Sequence, residues 1–238
     1  MQFWSLQGLT PYGAAGELQK RLVERRALGE IPDTILFLEH SPVVTRGRGL
    51  QWVGEARERS VPLLAPLPDS IQFSESERGG DLTYHGPGQL VVYPIVKLDG
   101  SGFGPEKDVT SFLRKLEQLF IGWVEELGLS AEARDGATGV WAEGKKIASI
   151  GIAVRKWVVW HGLALNVVND LAPFHLISPC GFAPEVMSTL GELLDSRSSR
   201  WPRESWRSWC EQAIAQRFKG ERTPVQIQSL TISEAMER

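Results

Sequence analysis

The sequence predicts an α/β (α+β) protein built on a mixed β-sheet with flanking helices, and three observations predict it. Apolar, β-branched runs of strand length stand at 34–39 (TILFLE) and 90–96 (LVVYPIV), then in close succession at 147–154, 157–160 and 163–168. Two segments have helical spacing, 14–28 ahead of the first run and 106–127 between the second and third. No internal repeat or low-complexity linker divides the 238 residues. Length alone allows one or two domains. The pattern predicts one, over 1–238, with a helical C-terminal appendage from about residue 200.

Each element has a local reason. In 14–28, Leu18 and Leu22 share a face while Lys20, Arg21 and Arg25 lie elsewhere. The run 34–39 is ended by His40-Ser41-Pro42, and residues 46–68 turn to Gly, Arg, Pro and short polar stretches, which reads as loop. Pro94 inside 90–96 suggests an edge strand or a bulge. The segment 106–127 is the clearest helix: Val109, Phe112, Leu113, Leu116, Phe120, Trp123, Val124 and Leu127 recur at three- and four-residue steps, and Gly128 stops it. The three β-like segments after 147 are separated by one or two turn residues. Pro202 opens a last helix with Trp206, Trp209, Cys210, Ala213 and Ile214 on one face.

Composition narrows the function. With 42% hydrophobic and 23% charged residues the chain has an ordinary globular balance. A formal net charge of −3 argues against a general nucleic-acid binder but leaves room for a local basic patch. Two cysteines are too few for a disulfide framework, and no Cys/His spacing suggests a metal site. The start, MQFWSLQGLT, lacks the basic and apolar regions of a secretory signal, and no run of about 18 apolar residues could span a bilayer. The expectation is a cytoplasmic protein with no membrane contact, in which an unpaired cysteine is either a core residue or a working thiol.

Three segments have unusual local composition. Residues 78–89 (RGGDLTYHGPGQ) place four glycines and a proline between apolar runs, so that backbone N–H groups can approach a ligand; a long hairpin loop is the plainer reading. Residues 144–151 (GKKIASIG) follow a glycine with two lysines. Gly139-x4-Gly144-Lys145 opens like a phosphate loop, but Lys146 stands where Ser or Thr must hold magnesium, and Val140-Trp141 is bulky. Gly47 and Gly49 begin a dinucleotide fingerprint that Trp52 breaks. A lysine here is either a snorkelling surface residue or a cation held against something buried and anionic. The third segment is His161-Gly162-Leu163-Ala164-Leu165-Asn166, followed by Pro179-Cys180-Gly181. Cys180 between proline and glycine belongs to a turn, which favours an accessible sulfur, whereas Cys210 lies on an apolar helix face and reads as structural. His40 and His175 also read as structural; His85 and His161 gain weight from their glycine-rich neighbours. There is no G-x-S-x-G elbow and no carboxylate pair of glycosidase type.

In this order, RGGDLTYHGPGQL, GKKIASIG and HGLALNV…PCG resemble the lipoate-biosynthesis octanoyltransferases, over about residues 35–182. The resemblance implies the fold of the biotin/lipoate protein ligase superfamily. It implies transfer of an octanoyl group from the phosphopantetheine thioester of octanoyl-acyl carrier protein to Cys180, and then to a lysine ε-amine on a lipoyl domain. The acceptors would be oxo-acid dehydrogenase complexes and the glycine cleavage H protein, with no cofactor. It makes Cys180 and Lys146 catalytic. Substrate contacts fall on Arg78, Gly79, Gly80, Asp81, Leu82, Thr83, Tyr84 and His85, on Ala148, Ser149 and Ile150, and on His161, Gly162 and Leu163.

Lys146 is then expected to lower the pKa of the Cys180 thiol. Backbone N–H groups near Lys146-Ile147 or Gly79-Gly80 are the expected oxyanion donors. Because acyl carrier proteins are acidic, Arg46, Arg48, Arg57, Arg155 or Lys156 is expected to form a docking patch. The competing readings are an ATP-dependent lipoate or biotin ligase, of which Arg46-Gly47-Arg48-Gly49 is a faint echo, and a non-enzymatic acyl-binding regulator. Pro179-Cys180-Gly181 speaks against the first, and Cys180 with Lys146 against the second.

Overall fold

Two strands show why the sheet forms. In β2 (Thr34–His40) Ile35 and Phe37 enter one core cluster while Leu36 and Leu38 enter another. In β8 (Gln89–Lys97) Leu90 and Val92 join the first cluster, Val91 and Tyr93 the second. Strands covered on both faces read as unbroken apolar runs, which is what the sequence displays at both places.

The computed structural model describes residues 1–49, 51–53, 56–58, 63–178, 183–195 and 201–238, with the backbone alone at 51–53 and 56–58. The other strands are β1 (Gln2–Thr10), β3 (Val43–Arg46), β4 (Gln51–Val53), β5 (Ala56–Glu58), β6 (Gln72–Glu75), β7 (Leu82–His85), β9 (Ala131–Glu132), β10 (Gly139–Ala142), β11 (Lys145–Arg155), β12 (Val158–Asn166) and β13 (Gln228–Leu230). The helices are α1 (Tyr12–Leu28), α2 (Val109–Glu126), α3 (Leu190–Asp195), α4 (Trp206–Lys219) and α5 (Ile232–Glu237). The main sheet runs β13-β1-β2-β8-β12-β11-β10-β9, parallel from β13 to β2 and antiparallel beyond. Helices α1 and α5 cover one face; α2 and α4 cover the other. The expected mixed sheet with flanking helices is the fold observed.

The helix ends follow the local chemistry. Gly29, at φ 80°, closes α1 with its N–H on the carbonyls of Arg25 and Arg26. Asp108 caps α2 by accepting the Ser111 N–H at 2.9 Å. A second, three-stranded sheet (β6-β3-β7) packs around its own cluster of Val44, Leu82, Tyr84, Phe174, Ile177 and Met187.

The structure departs from the sequence reading at four places, the first being residues 46–68, read as loop, where β4 and β5 pair as a short antiparallel hairpin. Residues 157–160 and 163–168 are not two strands: His161-Gly162 lies inside the continuous β12, which returns from β11 through a tight turn at Lys156-Trp157 (φ 51° and 59°). Pro94 sits in an internal strand, paired to Ile35 on one side. On its other side the β8–β12 ladder is interrupted between Val96↔Val159 and Val92↔Leu163. The missing proline N–H is the reason. Fourth, β13 pairs with β1, while Cys210, Ile214, Ala215 and Phe218 of α4 fill the α2-side core, so the C-terminal segment is continuous with sheet and core.

Candidate active site

The site begins with missing side chains. Ser149 pairs with Ala164 and Gly151 with Gly162, so adjoining positions on β11 and β12 carry little bulk, and Val91 of β8 lies beside Ala164. Over them lies a shallow cleft of about 430 Å³ including open solvent, whose walls include Tyr12, Thr83, His85, Tyr93 and His161. Two glycines here are required by close approach. A Cβ on Gly162 would sit 2.2 Å from the Val92 carbonyl oxygen, and one on Gly151 would sit 2.7 Å from that of Gly79.

The turn 78–81 forms the roof, and Arg78 holds it together. This side chain is 7% exposed. Its Nη2 donates at 2.8 Å to the Thr45 carbonyl, the Thr45 hydroxyl and the Asp81 carbonyl, and its Nη1 to the Gly79 carbonyl at 3.0 Å. The run 47–49 docks on the same turn: Gly47, Arg48 and Gly49 donate their N–H groups to the carbonyls of Asp81, Arg78 and Gly80. A Cβ on Gly47 would lie 2.2 Å from the Gly80 oxygen. Gly79 donates its own N–H to Ile152 at 2.9 Å, which removes it from the candidate oxyanion donors.

Behind the cleft lining, His40 packs against the rings of Tyr12, His85 and Tyr93. His40 meets the Thr10 carbonyl through Nδ1 at 2.9 Å, so that nitrogen carries the proton and Nε2 accepts the Tyr93 hydroxyl at 2.7 Å. Burial pushes His40 down to about 4 and His161 to about 3, the latter aided by Arg78; burial, with His40 and Arg78, also puts His85 well below its usual value. All three are neutral at pH 7.

The first cleft shares Gly79, Gly80, Ile150 and Gly151 with a second one on the α2 side, of about 980 Å³ including open solvent, and Lys146 lines the second. Lys146 is 2% exposed, so the snorkelling reading fails. Its Nζ lies 5.8 Å from the centre of the Trp141 ring. Gly139, at φ 144°, gives it room: a Cβ there would be 3.0 Å from Lys146 Cε. The buried Glu117 of α2 accepts the Gly139 N–H at 3.2 Å. The Lys146 carbonyl accepts the Ser188 N–H at 3.1 Å, which ties this strand to the chain that follows residues 179–182.

Of the residues expected to contact substrate, Arg78, Gly79, Gly80, Thr83, His85, Ser149, Ile150, His161, Gly162 and Leu163 line the first cleft, and Asp81 lines the second. Leu82 and Tyr84 alternate away into the small-sheet cluster, and Ala148 turns into the main core. Pro179, Cys180 and Gly181 lie outside the described residues. Cys210 is fully buried and burial drives its thiol well above the usual range, as a structural cysteine requires. Tyr12, Val91, Tyr93, Gly151 and Ala164 also line the cleft without having been expected to. Tyr12 and Tyr93 come from elements whose sequence carries only a packing signal.

Residues 11–218 match the family model described as the lipoyl protein ligase A/B catalytic domain. An octanoyltransferase of Geobacter metallireducens is 43% identical over 187 residues, covering 79% of this chain and 81% of that one. An octanoyltransferase of Gloeobacter violaceus is 45% identical over 182 residues, covering 76% of each. A lipoate-protein ligase A crystallised with ATP shares the fold at TM-score 0.62 and 19% identity, covering 100% of this chain and 94% of that one. So does a bi-partite lipoate protein ligase of Thermoplasma acidophilum, at TM-score 0.62 and 18% identity, covering 100% and 91%. The chain therefore belongs to the octanoyltransferase family, acyltransferases built on the lipoyl protein ligase A/B catalytic domain.

Proposed function

We propose that this acyltransferase carries an octanoyl group from the phosphopantetheine thioester of acyl carrier protein to Cys180. From there it passes to a lysine ε-amine on a lipoyl domain of an oxo-acid dehydrogenase complex or on the glycine cleavage H protein. The observation that carries the reading is a buried lysine, Lys146, on a cleft that shares Gly79, Gly80, Ile150 and Gly151 with a hollow floored by Ser149, Gly151, Gly162 and Ala164. A cation beside a cysteine favours the thiolate. A hollow lined by small residues accepts an acyl tail, each buried methylene being worth about 0.8 kcal/mol.

The chemistry balances in two steps. The Cys180 thiolate attacks the thioester carbonyl, the tetrahedral intermediate expels the phosphopantetheine thiolate, and Lys146 supplies that thiolate with a proton. The neutral acceptor amine then attacks the Cys180 thioester, and its proton returns to Lys146 as the Cys180 thiolate leaves. No nucleotide is consumed. The amides of Gly47 and Gly49, which an ATP-using ligase would need free to cradle phosphate, are bonded to Asp81 and Gly80. On the donor side, Arg46 pairs with Glu75 and Arg48 with Glu77, whereas Arg155 and Lys156 share the single carboxylate of Glu24. The last cluster keeps a net positive charge and is the better docking site for an acidic carrier. The side chain of Arg57 lies outside the described residues.

Intact mass spectrometry after incubation with octanoyl-acyl carrier protein, without ATP, tests the reading. A +octanoyl species on the wild type that is absent from Cys180→Ser is expected; adduct formation only when ATP is supplied would favour the ligase.

A further inference from the structure

His161 is 3% exposed and lines the first cleft, yet neither ring nitrogen has a hydrogen-bond partner among the described residues. A neutral imidazole carries one donor and one acceptor, and burying both unmatched is unfavourable. The ring is held where it is. Its main chain sits at φ 58° where Pro94 interrupts the β8–β12 ladder, and its N–H donates to Gln19 Oε1 at 2.8 Å. Its face stacks on Trp160 at 4.1 Å, and Tyr93 stands edge-on at 6.1 Å.

The neighbouring His85 has its proton fixed by a relay of amides. Asn166 Nδ2 donates to the Ser188 carbonyl, so Asn166 Oδ1 accepts from Gln89 Nε2 at 2.9 Å. Gln89 Nε2 also donates to the Tyr84 carbonyl, which leaves Gln89 Oε1 to accept the Nδ1 proton of His85 at 2.8 Å. His85 Nε2 therefore bears a lone pair. The cleft thus holds a donor and an acceptor on His161 and a second acceptor on His85, beside apolar lining from Val91, Ile150, Leu163 and Ala164.

We propose that His161 and His85 form a polar subsite within the acyl cleft that binds one hydrogen-bonding group on the distal part of the chain. Medium-chain acyl thioesters carrying a hydroxyl near their far end would then be substrates beside the unsubstituted octanoyl thioester. This rests on the acyl-transfer reading above and names a substrate class for that site. The hydroxyl donates to one imidazole lone pair and accepts the His161 N–H; the bonds made and broken in the transfer are unchanged.

The test compares octanoyl- and 8-hydroxyoctanoyl-acyl carrier protein as donors to the wild-type enzyme, reading the ratio of kcat/KM values. A cleft lined only by apolar groups disfavours an added hydroxyl by about 10²-fold, whereas the polar subsite keeps the two donors within about tenfold. A wild-type ratio below about one-tenth overturns the inference with no variant needed. In His161→Leu the ratio is expected to fall by at least about tenfold, and because both donors are read on one preparation, lost folded enzyme cancels. An unchanged ratio in that variant also overturns it. Failure of both donors to acylate the wild type would sink the transferase reading instead, and this inference with it.

Discussion

Lys146 is a large ionisable side chain held 2% exposed, a placement that costs desolvation. Lys146→Met is expected to slow thioester formation by about 10²-fold or more in enzyme that urea titration shows to be folded. Single-turnover mass spectrometry and urea titration together check it; a variant that transfers at the wild-type rate would remove Lys146 from the mechanism. At Ala164 the argument runs through space. Ala164→Leu adds bulk to the cleft floor beside Ser149, so relative kcat/KM should move from octanoyl towards butanoyl and hexanoyl donors, as a donor series would show.

At the scale of elements, α4 is tied to the sheet by a partly buried polar network centred on Arg207, which Ser5 of β1 joins by donating to Glu211 at 2.8 Å. Arg207 reaches Glu39 of β2 at 3.0 Å and Glu211 of its own helix at 2.9 Å, and it also donates to the Leu6 carbonyl of β1. Glu39 in turn accepts the Gly88 N–H at 2.7 Å, at the end of the turn that follows His85. Removing the guanidinium leaves two carboxylates that are 15% and 8% exposed facing each other. Arg207→Ala should cost about 2 kcal/mol, less than the 3–5 kcal/mol of a fully buried pair, because Arg207 keeps 20% of its surface in water. Urea unfolding measures this, and a loss below about 0.5 kcal/mol would mean that the network adds nothing beyond a surface ion pair.

For the molecule as a whole, three buried neutral histidines set the response to acid. Each titrates near 6.5 when unfolded, while burial holds His40 at about 4, His161 at about 3 and His85 well below its usual value. Below pH about 6.5 the unfolded chain binds protons that the folded chain refuses, so stability is full above that pH and falls as the pH drops towards 4. At pH 5 most carboxylates are still ionised, and each buried histidine contributes a loss of up to about 2 kcal/mol. A urea midpoint that does not fall between pH 7.5 and pH 5 would contradict this. The charge cluster at Glu24 gives a second outcome at this scale. Reversing Arg155 and Lys156 to Glu should raise KM for octanoyl-acyl carrier protein several-fold at low salt, with kcat little changed and the difference fading as ionic strength rises.

Periodicity and composition by themselves determined much of this protein. The three- and four-residue spacing of 106–127 became α2, TILFLE and LVVYPIV became internal strands, and the order of the glycine-rich segments carried the family. These are local signals, written in side-chain spacing. The amphipathic logic failed where residues packed on both faces or where turn-like composition lay inside a strand. MQFWSLQGLT formed β1, and His161-Gly162 continued β12 rather than ending it. The cleft itself was decided only by tertiary structure. Tyr12, Thr83, Tyr93, Ser149 and His161 lie far apart along the chain and meet because α1, β7, β8, β11 and β12 converge there. No local pattern encodes a hollow, since this one is made by the small residues of β11 and β12 falling into register. The tautomers of His40 and His85 likewise follow from partners that only the fold supplies.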